Sequence, residues 1–397
     1  MQVTGKSTRM ISPARGAALQ TLAAVADGAY ASDELQERSR PLTTRDAGLA
    51  TQLVFGVLRY QKQLDFLIYR YSGRQATKLD EPVRLALRLG IFQIRYLERI
   101  PARAAVNESV EFVKANCRSA AGFANAVLRK VNCDPVVWPD LETELSCPAW
   151  LIERWSKHFD DDAGRGIAEA ALKEPEAYVR VPPGMPMPEG LVLEPASVPG
   201  AYRVAAGLGT GMRLHDIGSQ SIVPLLGIQP GDRYLDLCAA PGNKTLQALE
   251  YSPGLALACD ISFRRLQQVP PVCPRIVLNA AEPLPFQTSF ERVFIDAPCS
   301  GTGTLARNPE IKWRLQPEDL ARFSERQSAI LRQGAQVLAE GGRLLYATCS
   351  LEREENEDVV ARFLAEEGRR FRIAEEHWRV PGREEGDGFY AAVLERR

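Results

Sequence analysis

Beyond residue 216 the sequence settles into an alternation of short apolar runs and helical stretches, and each run stops at a polar or reactive residue. Tyr234–Cys238 leads through the turn Ala239-Ala240-Pro241-Gly242-Asn243 into a helix, Lys244–Glu250. Leu255–Cys259 stops at Asp260, Arg275–Leu278 at Asn279, and Arg292–Ile295 at Asp296. A long helix, Pro317–Leu338, precedes Gly342–Ala347, which stops at Thr348-Cys349-Ser350. A helix at Glu354–Glu366 follows, and Phe371–Ile373 and Phe389–Leu394 read as the last two strands. Strands separated by helices satisfy their hydrogen bonds in a mostly parallel, doubly wound α/β sheet, here of seven strands. Ligands of such sheets bind beyond the carboxyl ends of the strands. Polar and reactive residues at those ends are therefore the first functional signal.

The rest of the chain follows other rules. Residues 12–131 carry apolar residues at helical spacing, as with Leu49, Leu53, Val54, Val57 and Leu58 in the segment Thr44–Tyr60. Ser12-Pro13 is a helix-start signal before Arg15–Ala26. Further helices are expected at Leu64–Tyr71, Glu81–Tyr96, Arg103–Asn116 and Ala120–Lys130, giving an all-α domain over 1–134. Asn132–Cys147 reads as a linker rich in Pro, Trp and acids. Within 135–215, helices at Pro148–Phe159 and Gly164–Lys173 and short strands at Tyr178–Val181, Leu191–Glu194 and Tyr202–Val204 form a small α+β, RRM-like module. The third domain spans 216–397.

Net charge is −1, but it is unevenly spread. Residues 1–134 hold 20 Lys and Arg against 12 Asp and Glu; the remainder holds 29 against 38. A basic half points to a polyanion partner, although Arg-rich solvated helix faces give the same count. The eight cysteines include no CxxC pair and the chain has three histidines, so zinc-site spacing is absent and no metal is expected. No apolar run approaches the ~18 residues of a membrane span, and MQVTGKSTRMISPARGAAL lacks the apolar stretch of a leader. The expected setting is a reducing cytoplasm, with thiols free for chemistry.

The first strand–turn–helix, YLDLCAAPGNKT, lacks both G-x-G-x-x-G and G-x-x-x-x-G-K-[ST], which argues against a dinucleotide or P-loop site. Its single Gly among small residues suits a ligand that approaches the backbone without a pyrophosphate. Asp260, 18 residues past Gly242, can accept both hydroxyls of a ribose, and the Asn279 amide can meet an adenine edge. Singly, each is also an ordinary strand-end turn former; in this order they fit S-adenosylmethionine.

Two cysteines end strands: Cys299 in Asp-Ala-Pro-Cys-Ser-Gly-Thr-Gly and Cys349 in Ala-Thr-Cys-Ser. Two thiols beside Asp296 and Lys244 suggest covalent catalysis. Carbon 5 of a pyrimidine is a poor nucleophile until a thiolate adds at C6. An acid near N3 then stabilises the developing charge, and a base removes the C5 proton. Lys244 is expected to lower the pKa of a nearby thiol. These residues alone do not say which cysteine attacks.

LDLCAAPGNK, DAPCSGTG, RNPEIKW, TCS followed by ENE, and DGFYAAVL together resemble the NOL1/NOP2/Sun family of RNA cytosine-5 methyltransferases. ARGAALQTLAAV, RDAGLATQLVFGVLRY and GFANAVLRKV resemble the RNA-binding fold of the antitermination factor NusB. The resemblance implies a NusB-like domain followed by a Rossmann-like class I methyltransferase using S-adenosylmethionine, and an RNA substrate, small-subunit ribosomal RNA first and tRNA as the alternative. A NusB-type RNA-binding factor without activity is the other class of reading. By resemblance Cys349 is the nucleophile, and Cys299 serves as base and in product release. Cys238, Ala239, Ala240, Pro241, Gly242, Asn243 and Lys244 match the cofactor loop, Asp260 the ribose acid, and Asp296 the acid beside cofactor and base. Asn243 replaces a Gly and Asn279 an Asp of the family pattern. If position 243 requires positive φ, Asn is the next best residue. Arg307, Lys312 and Trp313 form a basic–aromatic cluster suited to hold RNA phosphate and stack a base, with packing of the loop by Trp313 as the equal alternative. The target base must leave its stack to reach the thiols. The chain is expected to act as a monomer.

Overall fold

A computed structural model describes residues 11–207 and 212–397; the start of the amino-terminal stretch read above for a leader lies outside them. The chain forms two compact units.

The first unit comprises the described residues up to Glu153 together with Ala306–Arg314. Its helices are α1 (Pro13–Ala26), α2 (Ala31–Ser39), α3 (Thr44–Arg59), α4 (Gln61–Ser72), α5 (Glu81–Tyr96), α6 (Ala102–Asn116), α7 (Ala121–Leu128) and α8 (Leu141–Glu144). α1 to α7 contribute apolar side chains to one core, where Leu19, Leu53, Val57, Leu64, Leu87 and Ile91 are fully enclosed. α3 crosses α5 closely because position 56 has no side chain: a Cβ there would lie 1.9 Å from the Phe92 ring. Thr43 caps α3 by accepting from the Asp46 backbone N–H. α2 is a helix the apolar periodicity does not announce, since of its nine residues only Ala31 and Leu35 are buried. The expected linker 132–147 contains α8 and belongs to this unit.

The second unit holds the rest, from Arg154 to Leu305 and from Leu315 onward. The helix α9 (Ala149–His158) runs into it, and α10 (Asp161–Ala170) follows, capped by Asp160. β1 (Tyr178–Arg180), β2 (Leu191–Pro195) and β3 (Ala201–Gly207) form an antiparallel sheet of order β1-β3-β2, as short strands between Pro/Gly turns suggest. This module lies in the same compact unit as the large sheet.

α11 (Ile217–Ile222) leads into that sheet: β4 (Arg233–Asp236), β5 (Leu255–Asp260), β6 (Arg275–Val277), β7 (Phe290–Asp296), β8 (Leu338–Thr348), β9 (Phe371–Arg379) and β10 (Phe389–Arg396). The helices α12 (Asn243–Leu249), α13 (Phe263–Leu266), α15 (Asp319–Gln336) and α16 (Glu357–Glu367) connect them, while α14 (Ile311–Arg314) belongs to the first unit. The order is β6-β5-β4-β7-β8-β10-β9, parallel through β8 and antiparallel for the last two. One face buries Leu235, Val293, Ile295 and Leu344, the other Tyr234, Phe294 and Leu345, so successive residues of a strand fill opposite cores. β9 runs to Arg379, well past the expected Ile373, because its later residues are polar members of an edge strand rather than apolar. No described helix is long and apolar enough to cross a membrane.

Candidate active site

The strand order reverses between β4 and β7. Loops leaving a parallel sheet at such a point diverge and open a crevice. A cavity of about 210 Å³ lies there, lined by Leu237, Cys238, Ala240, Asp260, Ile261, Arg265, Asn279, Ala280, Asp296, Ala297, Pro298, Cys299, Arg326, Ile330 and Cys349. Seven sequence-predicted residues thus share one wall: Cys238, Ala240, Asp260, Asn279, Asp296, Cys299 and Cys349.

Register explains why two cysteines fifty residues apart meet. Asp296 at the end of β7 pairs with Ala347 of β8, so the two chains leave the sheet side by side. Their sulfur atoms end 3.4 Å apart. The hydrogen bond with Cys349, then burial, then the charges of Cys349, Glu355 and Asp296 push the Cys299 thiol well above its ordinary pKa. The expected lowering by Lys244 is therefore not found at Cys299, where the hydrogen bond with Cys349 and burial dominate.

Lys244 lies on α12 and donates to Asp296 Oδ2 at 2.7 Å. Its ammonium also stands 5.0 Å from the centroid of the Phe389 ring. Burial opposes its charge, but the charge and hydrogen bond of Asp296 and the charge of Cys349 hold its pKa above the usual value. Lys244 and Asp296 thus form a fixed cation–anion pair at the thiols. Asp236, buried at the end of β4, is pushed up to about 7 chiefly by burial, against the hydrogen bond from Thr245.

The loop 238–244 reaches the cavity through Cys238 and Ala240; Ala239, Pro241, Gly242, Asn243 and Lys244 do not line it. The Ala240–Pro241 bond is cis. Positive φ falls on Gly242, at 106°, and not on Asn243, which opens α12. The Asn243 side chain turns away from the cavity: its amide donates to the Leu214 carbonyl at 2.8 Å and its oxygen accepts from Arg213 Nε at 2.9 Å. Asp260 accepts from the Ser262 and Ala240 backbone N–H groups, at 2.8 and 3.3 Å. Asn279 stands two residues past β6 and still faces the cavity. Its side-chain oxygen accepts from Ala281 N.

Sequence reasoning missed Arg265, Arg326, Ile261, Ala280, Ile330 and Glu355. Arg265 lies five residues past Asp260, on the short helix that follows β5, and donates to the Ala240 carbonyl at 3.0 Å. Arg326 and Ile330 are spaced one helical turn apart on α15, a legible pattern once that helix is known to face the crevice.

The expected RNA cluster is corrected. Lys312 is only 1% exposed, and its ammonium donates to the carbonyls of Ser146 at 2.7 Å and Arg59 at 3.1 Å. Burial lowers it to about 8. Trp313 is half-buried and donates its indole N–H to the Leu58 carbonyl at 2.7 Å. Both side chains are structural members of the helical unit. Arg307 is half-buried in the same segment.

The family model for 16S rRNA methyltransferase RsmB/F matches residues 223–395, and the NusB family model matches residues 12–132. Ribosomal RNA small subunit methyltransferase B of Klebsiella pneumoniae is 31% identical, over 94% of this chain and 96% of that protein. The crystal structure of PH0851 superposes with a TM-score of 0.80 at 21% identity, covering 98% of this chain and 99% of that one. NSun6 from Pyrococcus horikoshii with SFG gives a TM-score of 0.54 at 16% identity, over 63% of this chain and 98% of that one. The structural likenesses bear on the fold.

Proposed function

The chain belongs to the RsmB/F family of 16S rRNA methyltransferases, and on that footing we propose that it methylates carbon 5 of a cytosine in small-subunit ribosomal RNA with S-adenosylmethionine. The observation that carries the chemistry is the pair of sulfur atoms 3.4 Å apart at the cavity wall. One thiol is enough for a nucleophile; a second in contact with it suits a reaction that also needs a proton acceptor at the same carbon pair.

The cavity fits an adenosyl group. Asp260 and Asn279 supply polar groups at adjacent strand ends, and Ile261, Ala280, Pro298 and Ile330 supply apolar walls for a flat ring. When bound, S-adenosylmethionine supplies an electrophilic methyl group. Cys349, as thiolate, forms a bond to C6 of the cytosine and turns C5 into a nucleophile. Asp296, carrying a proton for this step, donates to the ring nitrogen where negative charge develops, and the Lys244 ammonium beside it offsets that charge. After the methyl group has left its donor and joined C5, Cys299, having first given up its own proton to solvent, takes the C5 proton as a thiolate, and the Cys349–C6 bond breaks to restore the aromatic ring and the free Cys349 thiolate. The Cys349 and Cys299 roles follow the family pattern of TCS and PCS, and the geometry accommodates both. The basic helical unit, with Arg307 at the returning segment, would hold the RNA backbone.

The deciding experiment compares wild type, Cys299→Ala and Cys349→Ala with S-adenosylmethionine and unmodified small-subunit rRNA. Wild type should form 5-methylcytosine. Cys299→Ala should accumulate a protein–RNA adduct stable on denaturing gels, and Cys349→Ala should form none. Adduct that requires Cys299 would reverse the roles. Transfer to tRNA alone would overturn the substrate, and no transfer at all would favour a binding factor.

A further inference from the structure

The two cysteine loops have no covalent link, yet they must hold two sulfur atoms at one separation. Each loop places a serine directly after its cysteine: Ser300 after Cys299 and Ser350 after Cys349. Both serines, buried, converge on Glu355, which is itself 0% exposed. Glu355 Oε1 accepts from the Ser300 backbone N–H at 2.8 Å and from Gln327 Nε2 at 2.9 Å. Glu355 Oε2 accepts from the Ser350 hydroxyl at 2.5 Å and from the Ser300 hydroxyl. One carboxylate thus takes four donors from three segments, the two cysteine loops and α15.

We propose that Glu355 is the positioning residue of the two-thiol site: it latches the Cys299 loop to the Cys349 loop and so sets the sulfur–sulfur separation. The proposal rests on the reaction read above, and it assigns Glu355 no contact with substrate.

Two further observations fit a latch. Gln327 also donates to the Pro298 carbonyl at 3.0 Å, so α15 braces the Cys299 loop on the other side of its cysteine. Asn356, next in sequence, donates to the Ser350 carbonyl at 2.9 Å and accepts from the Thr348 hydroxyl at 2.5 Å, so it braces the Cys349 loop in the same way. The motif Glu355-Asn356-Glu357 therefore acts through its first two members on the loop it follows. Burial raises the Glu355 pKa above the ordinary glutamate value, and the four donors work against it in favour of the charged form. That charge lies close enough to help keep the Cys299 proton in place.

Full-length Glu355→Gln keeps the volume but removes the charge and replaces one acceptor with a donor. Single-turnover methyl transfer should fall between about 10- and 100-fold, the scale of a misplacement near 1 Å. The KM for RNA and the affinity for S-adenosylmethionine should stay within about twofold, since Glu355 does not line the cavity. The pH profile for alkylation of Cys299, resolved by mass spectrometry, should move to lower pH; loosened packing would move it the same way, so the charge-keeping Glu355→Asp separates the two. Glu355→Asp should recover part of the pH profile. Transfer and profile both equal to wild type would overturn the latch. Should Glu355→Gln fail to fold, Ser350→Ala cuts one arm and keeps the charge; unchanged transfer in that variant would overturn the proposal equally. Wild type that transfers no methyl to cytosine would sink the reaction instead, and the alkylation profiles would still judge the latch.

Discussion

The thiol of Cys299 and the thiol of Cys349 are hydrogen-bonded to each other at 3.4 Å, a contact through sulfur between the loops that leave β7 and β8. A proton held between two thiols belongs to both, so changing one residue must change the chemistry of the other.

Replacing Cys349 by Ala removes the largest influence that raises the Cys299 thiol. Cys299 should then react with iodoacetamide faster at pH 8, with its alkylation profile displaced to lower pH. An unchanged profile would show that burial, not the neighbour, holds the proton.

Lys244→Met should leave Asp296 without its cation. Loss of one hydrogen bond between charged groups costs about 2 kcal/mol, discounted where solvent reaches Asp296. Urea unfolding of Lys244→Met, Asp296→Asn and the double variant gives the coupling energy directly. Additive effects would mean that the pair contributes nothing beyond its separate members.

Lys312→Met should lower thermal stability and leave RNA binding alone. The ammonium donates to two buried carbonyls, and no phosphate can reach it at 1% exposure. Removing it should cost about 1–3 kcal/mol, while the slope of log affinity against log salt stays that of wild type. A slope reduced by about one charge would restore Lys312 as an RNA contact.

His215 gives the acid side of the stability profile. Burial, then the charges of Lys244, Arg180 and Arg213, lower it from 6.5 to about 3. The unfolded chain binds this proton more readily than the folded one. Stability from the neutral ring is therefore full above about pH 6.5 and is lost as pH falls toward 3. His215→Gln should flatten the decline in melting temperature between pH 7 and pH 4; a slope equal to wild type would refute this assignment.

What was legible in the sequence was local. Asp260, Asn279, Cys299 and Cys349 each end a strand or follow one closely, and strand ends in a parallel sheet face one crevice by topology alone. Lys312 was misread because its environment is not local. Its two carbonyl partners lie 253 and 166 residues earlier, and a lysine beside a tryptophan has the same sequence whether it faces solvent or a core. Glu355 was visible only as part of a motif, since its work depends on Ser300, 55 residues earlier. Asn243 was considered for a strained backbone, but the strain sits one residue earlier, at Gly242, and the amide serves the 213–214 segment instead. α2 went unseen because a helix with two buried residues has almost no periodicity to read.

The segment Ala306–Arg314 completes the helical unit from the far side of the chain. On a ribosome, the first 153 residues emerge long before residue 314, and until then the carbonyls of Leu58, Arg59 and Ser146 have neither the Trp313 indole nor the Lys312 ammonium to meet. The amino-terminal unit therefore matures only after the Asp296 and Cys299 segments have been synthesised. Order of synthesis and order of completion differ in this protein, and a gene cut at the obvious boundary would yield a helical bundle missing the piece that closes it.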